Sequence, residues 1–490
     1  MPIPEIVKSF KLARKALIEI ESLKNNNQEC FKDRYVIDDF SFWDLALPTL
    51  NLHVIPAIKS NNYKYKIGYL ILNIIKTKTS TLLERIKIYK KSQYNSSGKI
   101  DILYLGFSSY INKDIFKPFI SETRNQFNHS LLVTDSEIKS DVPVKHVNIL
   151  SYLKNWEKVP SVHSHNLFSY RLKCSTLKNV SFFELIKINI WMKYIFIPKY
   201  YNYVVASKYF LSINSPKSII ESDVADPRSR AIIILAKSKK LTTYTFQFAF
   251  YNRDAFEWYY NITDKVFVWG IWFKELFNKE FNVANDRMII MGSPRFDEVF
   301  EYKSQIVNYS NILSNKKALI ISSYEISSYT SISNSVGGTF KDHIIKTIEI
   351  LQKEGFIVYI KIHPLETNVK YLDEFVEKGL VVIEFEKLNK IILDVDFVIT
   401  HGSTLSFNAL VLNKTLLFPT NPDIVWWDDL FHSNNLGIGY NNYEEFQDLV
   451  RTPQLLKSRK FVETKKYIST DAMKTSSKLI SDFILNDKNN

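Results

Sequence analysis

Asp396–Pro419 reads DFVITHGSTLSFNALVLNKTLLFP. A short apolar run (DFVIT) meets a turn of small polar residues (HGST), then a helical pattern (LSFNALVLN), then a second apolar run (TLLFP). Strand, turn, helix, strand is one βαβ unit. The turn sets the free N–H groups of a helix start beside the hydroxyls of Ser403, Thr404 and Ser406, a combination suited to phosphate. About thirty residues upstream another apolar run, FIVYIKIH, reaches His363 and stops at Pro364. Two parallel strands would bring that imidazole and the hydroxyl-rich turn to one sheet edge, where open α/β sheets bind ligands. A nucleotide-activated substrate is the expectation.

Outward from this unit the alternation continues. Upstream lie IDILYLGF, SLLVTD, KHVNIL, SIIESD, TTYTFQF and DKVFVWG, separated by helical stretches; after RMIIMGSPRFDEVF come KKALIISS, FIVYIKIH and LVVIEFE. Strands alternating with helices imply parallel sheets with right-handed crossovers. The fold class is therefore α/β, with two Rossmann-like domains facing across a cleft. Residues 1–98 read as a helical N-terminal extension for acceptor or membrane contact. Residues 99–310 form the N-terminal Rossmann-like domain on the acceptor side, and residues 311–450 the C-terminal one on the nucleotide-donor side. Residues 451–490 read as helices packing back across the domains, and the polar stretch 301–315 as the hinge.

Composition narrows the function. The chain has 490 residues, 46% of them hydrophobic, with 64 Lys+Arg against 51 Asp+Glu, enough for about two to three cores. Residues 51–100 carry ten Lys/Arg and the single acid Glu84. Such a concentration is either a solvated face or an attraction to an anionic membrane or polymer. Nucleic acid is not expected, because zinc spacings, RNP-like aromatic strings and basic zippers are absent. Cys30 and Cys174 are the only cysteines, too few for a disulfide framework or a cysteine metal site. The longest apolar runs, such as IGYLILNII, fall short of the ~20 residues of a membrane helix. The expected location is cytoplasmic, peripheral at the inner face of the cell membrane.

GSPRFD (Gly292–Asp297), KIHP (Lys361–Pro364) and VITHGSTLSFNALVLNKTLLFP, in that order, resemble GT-B glycosyltransferases of bacterial surface polymers. The CDP-glycerol glycerophosphotransferases of teichoic acid synthesis and the capsular sialyl- and Kdo-transferases are similar in these segments. The resemblance covers roughly residues 221–419. It implies an inverting, metal-independent transferase that moves a sugar from a nucleotide-activated donor, CMP-sugar favoured, to a glycan or lipid-linked acceptor of capsule or lipopolysaccharide. Donor contacts then fall on His363, Pro364, His401, Gly402, Ser403, Thr404, Ser406 and Arg295. No cofactor and no metal site are expected. Departures exist. Many relatives carry Gln-His-Gly where this chain has Gln247, Phe248 and Ala249, and His401 stands where teichoic enzymes often carry Asp.

Transfer to a hydroxyl needs a base. ESDVAD (Glu221–Asp226) follows one strand and precedes a helix, so its carboxylates belong at a strand's C-terminal end; Asp223 is the first candidate and Glu221 the second. Asp254 and Glu257 stand in reserve. Each candidate has a plainer role open to it: Asp223 or Asp226 as a helix cap, Ser403 and Thr404 as an N-cap pair, His363 as a strand-end residue, and Arg295 as the partner of Asp297. Asp394 and Asp396 have the spacing of a metal-binding pair but flank the entry to a buried strand. Other functions kept in view are a CDP-glycerol-type polyol-phosphate transferase, a UDP-GlcNAc 2-epimerase-like enzyme, and a non-catalytic glycan- or membrane-binding protein.

Overall fold

The computed structural model describes residues 5–25, 28–60, 67–89, 100–108, 112–127, 130–134, 144–153, 159–160, 167–250, 255–305, 316–322, 337–363, 366, 369–400, 403–420, 431, 434–452, 464–469 and 474–487. By contacts the chain divides into two compact units, residues 1–294 with 471–490, and residues 295–470.

The first unit begins with helix α1 (Glu5–Ser22), a small antiparallel pair of β1 (Val36–Ile37) and β2 (Phe40–Ser41), helix α2 (Phe42–Thr49) and helix α3 (Ile67–Tyr89). Ser41 caps α2 by accepting from the Asp44 N–H at 3.1 Å. A seven-stranded parallel sheet follows: β3 (Ile102–Leu105), β4 (Ser130–Thr134), β5 (Lys145–Asn148), β6 (Ser218–Glu221), β7 (Thr242–Phe246), β8 (Lys265–Val268) and β9 (Met288–Ile290). Its spatial order is β5-β4-β3-β6-β7-β8-β9. Between β5 and β6 run α4 (Phe182–Trp191), closed by a Ser181–Glu184 capping box, and α5 (Ile197–Ile213); α6 (Pro227–Ser238) joins β6 to β7.

Residues 1–98 do not stand apart as an extension. Leu17, Trp43 and Leu45 are fully buried in the same core as Ile219 of β6, Phe210 of α5 and Ile232 of α6. Arg230 on α6, itself buried, donates from Nε to the Asp44 carbonyl at 2.7 Å and from Nη1 to the Tyr260 carbonyl. A cation removed from water needs such acceptors, so α2 is fastened to α6 within the core of the first unit.

The second unit holds β10 (Lys317–Ile321), β11 (Ile357–Lys361), β12 (Val381–Val382), β13 (Phe397–Thr400), β14 (Thr415–Pro419) and β15 (Ile438–Tyr440), all parallel, in the order β12-β11-β10-β13-β14-β15. Helix α7 (Gly337–Lys353) joins β10 to β11, and α8 (Ser406–Val411) joins β13 to β14. Central strands β10 and β13 are buried along nearly their whole length, which is why they read as continuous apolar runs and not as alternating ones. Gly437, just before β15, is required by space, since a Cβ there would lie 2.5 Å from the Leu416 carbonyl oxygen.

Two boundaries differ from those expected. The division between units falls between Pro294 and Arg295, upstream of the polar stretch 301–315; residues 306–315 lie outside the described residues. The closing helix α9 (Ser476–Asp487) belongs wholly to the first unit. Its Ile480 and Ile484 are fully buried among Tyr104, Phe116 and Phe246, and Tyr244 donates to Asp487 at 2.8 Å.

Candidate functional site

In both sheets the strand order runs outward in opposite directions from one central pair, β3/β6 in the first and β10/β13 in the second. Outside the C-terminal ends of such a pair the two flanking connections leave in opposite directions, and a crevice opens there that suits a ligand. The sequence-selected residues fall at these two places.

At the second sheet, Ser322 follows β10, His363 follows β11 and Ser403 follows β13, so three neighbouring strand ends contribute. The Ser322 hydroxyl accepts from the His363 N–H at 3.0 Å, and the Ser322 N–H donates to the Lys361 carbonyl at 3.0 Å. Burial, aided by the Lys361 cation, pushes the His363 imidazole down to about 4. At neutral pH it is uncharged and offers a hydrogen bond, not a positive charge.

The turn after β13 is organised differently from a capped helix start. Helix α8 has six residues, shorter than LSFNALVLN suggests, because Asn413 turns the chain with φ +57° and Lys414 N–H closes back on the Ala409 carbonyl. Leu405, not Ser403 or Thr404, takes the N-cap place, and it makes no side-chain cap. Ser403 Oγ accepts from Leu405 N–H at only 3.4 Å, while the Ser403 N–H reaches Thr400 Oγ1 at 3.3 Å. Ser406 is fully buried and bonded to the Thr400 hydroxyl; it braces the turn from inside and is not a ligand contact. Ser403 and Thr404 are half-buried at the edge. With so short a helix, the turn offers hydroxyls and backbone N–H groups more than a helix dipole. Pro364, His401 and Gly402 lie outside the described residues. Arg295 is buried at the start of the second unit, in the turn Pro294–Phe296, and Gly292 before it has φ +73°.

At the first sheet, Glu221 ends β6 and Asp223 lies two residues beyond. Glu221 is 2% exposed; its Oε1 accepts from Thr245 Oγ1 at 3.0 Å and its Oε2 has no partner. Burial pushes its carboxyl up to about 8, the Thr245 bond working against this. Ser222 donates to the Phe246 carbonyl at 2.8 Å. Glu221 and Ser222 are thus both fastened to β7. Asp223 is half-buried, and its Oδ1 accepts from the N–H groups of Ala225 at 3.1 Å and Asp226 at 3.2 Å. Its Oδ2 makes no bond among the described residues. Burial, then the Asp226 charge, pushes Asp223 up to about 6, opposed by those two N–H groups and by Arg228. Asp226 performs the capping role, accepting from Arg228 N–H at 2.7 Å and pairing with its guanidinium at 2.7 Å. Arg228 also covers the Phe107 ring beyond β3 at 4.7 Å.

Other candidates resolve into structure. Gln247 is buried, donating to the Ala249 carbonyl at 2.9 Å and accepting from Trp269 N–H at 3.0 Å. Asp394 pairs with Lys317 Nζ at 2.7 Å and Asp396 accepts from Lys317 N–H at 3.2 Å; both stand at the N-terminal end of β13, opposite the edge described above. Lys414, of the Asn-Lys ending, spans the carbonyls of Leu393 and Val395 at 2.8 Å each, so that motif is a clasp. Asp254 lies outside the described residues, and Glu257 sits in the short helix Phe256–Tyr260. Sequence reasoning missed Ser322, Glu366 and the buried Thr245, Asn261 and Thr263. The doubled serine ending KKALIISS was the signal for the first; strand threonines carry none.

Residues 235–424 match the family described as CDP-Glycerol:Poly(glycerophosphate) glycerophosphotransferase. The chain is similar to the teichoic acid glycerol-phosphate primase of Bacillus subtilis (strain 168), 24% identical over 158 residues; the match takes in 30% of this chain and 36% of that protein's length. Among solved structures, one of the wall teichoic acid polymerase TagF is similar over 86% of this chain and 98% of that one, at 14% identity and a TM-score of 0.49. The UDP-GlcNAc 2-epimerase of Methanocaldococcus jannaschii is similar over 79% of this chain and 100% of its own, at 11% identity and a TM-score of 0.48. The resemblance to CDP-glycerol glycerophosphotransferases read from GSPRFD, KIHP and the Asp396–Pro419 unit is thus shared by the family match, which spans all three.

Proposed function

We propose that this chain is a transferase that moves a polyol phosphate from a cytidine-diphosphate-linked donor to a hydroxyl of a growing glycan or lipid-linked acceptor. This replaces the CMP-sugar donor favoured from sequence with the CDP-glycerol-type alternative. The family match carries the change, because its 190-residue span 235–424 contains Ser322, His363 and Ser403, the residues gathered around the second sheet's edge. Ser403, Thr404 and neutral His363 would hold the diphosphate through uncharged hydrogen bonds, with Ser322 bonded to the His363 N–H behind them. Asp223 would take the acceptor's proton. The acceptor oxygen then attacks the phosphorus that bears the polyol, the bond to the bridging oxygen breaks, and CMP leaves with that oxygen's electrons. A carboxylate with a pKa near 6 is ionised at pH 7 and still basic enough for the task.

A CMP-sugar donor would also release CMP, so CMP alone does not identify the donor. The deciding experiment offers CDP-glycerol and CMP-sialic acid separately, each with a glycan acceptor, and follows phosphorus in the polymer product. Phosphodiester growth with CDP-glycerol supports the proposal; glycosidic growth with the CMP-sugar overturns it.

A membrane-surface role for α3 fits the same reading. Ile71, Leu72 and Ile75 are more than half exposed on this helix and sit beside exposed Lys76 and Lys78, an apolar-and-basic face suited to an anionic bilayer. Among the described residues no helix is long and apolar enough to cross a membrane. Lys87 lies on α3, and Lys90 and Lys91 fall outside the described residues. Leu72→Asn with Ile75→Asn should lower binding to anionic vesicles severalfold; unchanged binding removes the membrane from this proposal.

A further inference from the structure

The loop that carries Asp223 is held by residues far from its own strand. Ala225, whose N–H donates to Asp223 Oδ1 at 3.1 Å, packs against a small apolar cluster of Phe10, Leu52 and Phe256. All three are buried, and Phe10 meets Phe256 edge-on with ring centroids 5.4 Å apart. Phe10 comes from α1 and Phe256 from the short helix Phe256–Tyr260. Leu52 comes from the helical segment Leu50–Val54, where the Ile55 N–H reaches back five residues to the Leu50 carbonyl. Winding of that kind, one residue wider than an α-helix, recurs at functional sites. One turn into α6, Arg230 is fastened to the Asp44 carbonyl of α2 and to the Tyr260 carbonyl. The chain from Ala225 to Arg230 is therefore gripped twice by the N-terminal segment.

Asp223 lies beyond the end of β6, so no strand ladder orients it. Its carboxylate is aimed by the N–H groups of Ala225 and Asp226, and those point where the Ala225 backbone sets them. We propose that Phe10 and Leu52 are positioning residues for the transfer reaction, seating Ala225 and thereby aiming the Asp223 carboxylate at the acceptor. The inference rests on the reading that Asp223 is the base. The charges acting on that carboxylate are those of Asp226 and Arg228, with Glu221 two residues upstream. The elements packed around the loop add Arg14 of α1, over the Tyr259 ring at 3.6 Å, together with His53 and Glu257. Phe10 and Leu52 carry no charge, so a pH profile that shifts on their truncation reports displaced N–H groups and not a lost ion. Such N–H bonds favour the ionised carboxylate, and their displacement moves the acid limb to higher pH.

The test measures transfer from CDP-glycerol to a synthetic glycerol-phosphate oligomer by the full chain and its variants. Phe10→Ala and Leu52→Ala should each lower kcat by about 10- to 100-fold, the usual effect of a misplaced catalytic group. Each should also raise the acid limb from near pH 6 by about one unit, the worth of a weakened bond to a carboxylate. CDP affinity should stay as in wild type, and Phe10→Leu should restore most of the rate. Ile484→Ala, a truncation in the core beneath α9, should lower the melting temperature and leave the acid limb in place. In the double variant Phe10→Ala/Asp223→Asn the residual rate should match that of Asp223→Asn alone, because a residue that acts through the base has nothing left to aim. An unmoved acid limb in both alanine variants, or a double variant slower by the full Phe10→Ala factor, overturns the positioning role while the base stands. Full turnover in Asp223→Asn, or no transfer by the wild type, removes the base reading and this inference with it.

Discussion

At the switch point of the first sheet stand Glu221, Asp223, Asp226 and Arg228; at the switch point of the second stand Ser322, His363, Ser403 and Thr404. The strands beneath follow the same order outward from the central pair, so the backbone offers the same kind of crevice twice. The first presents Asp223, ionised at neutral pH and able to withdraw a proton, beside Glu221, which keeps its own. The second is lined with hydroxyls and a neutral imidazole, which would meet a phosphate without presenting a negative charge of their own, apart from Glu366. Fold alone therefore assigns neither edge a task; the residue types do. Acidic chemistry suits the hydroxyl acceptor, and hydroxyl chemistry suits the nucleotide.

The largest effect that could break this division is on turnover. Asp223→Asn should lower the transfer rate by about 10²–10⁴-fold and leave nucleotide affinity as in wild type. The amide oxygen can still accept from Ala225 and Asp226, so folding should survive. In the wild type the acid limb of the rate profile should fall near pH 6, where Asp223 protonates. Full turnover in Asp223→Asn would move the base elsewhere. Next in size, His363→Ala and Ser403→Ala should each weaken nucleotide binding by about 10- to 100-fold, with little change in melting temperature. If both bind as wild type does, the hydroxyl edge is not the donor site.

The smallest effect sharpens the acidic edge. Glu221 keeps its proton in the folded state up to about pH 8, whereas in the unfolded chain it ionises near its ordinary 4.5. Between these values the folded state binds more protons than the unfolded one, so stability falls as pH rises and levels off above pH 8. Asp223 has largely completed its own titration by pH 6.5. Between pH 6.5 and 8 the wild type should therefore lose about 2 kcal/mol that Glu221→Gln does not lose. Chemical denaturation at the two pH values measures the difference. Equal losses in both proteins would mean that Glu221 is ionised in the fold.

Most strands were legible because they are buried on both faces and so appear as unbroken apolar runs: ILYL, SIIE, KALII and FVIT all became strands. His363 and Ser403 could be placed at strand ends for the same reason. Spatial order could not be read, since every parallel strand of this kind looks alike, and with it went the knowledge that Ser322 stands between them. The independence of residues 1–98 was misjudged because a helix facing a protein core and one facing a membrane share the same periodicity. Which face Leu17 and Trp43 choose depends on a sheet more than fifty residues later. Partnering was also beyond the sequence. Glu221 and Asp223 are two residues apart and chemically alike, yet one is sealed in the core against Thr245 and the other is half-exposed beyond the strand end.

Helix α9 lies beyond the second unit in the chain but completes the core of the first, with Phe483 edge-on to Phe267 at 5.6 Å. The second unit is therefore an uninterrupted insertion, and a ribosome finishes it before the first unit can close. While residues 295–470 are being made, the part of the Phe246–Phe267 side that Ile480, Phe483 and Ile484 cover must wait exposed, with only Phe116 and Phe119 packed beside it. That exposed aromatic surface is what a chaperone would meet on the nascent chain. A chain stopped before residue 476 would keep it exposed for its whole lifetime.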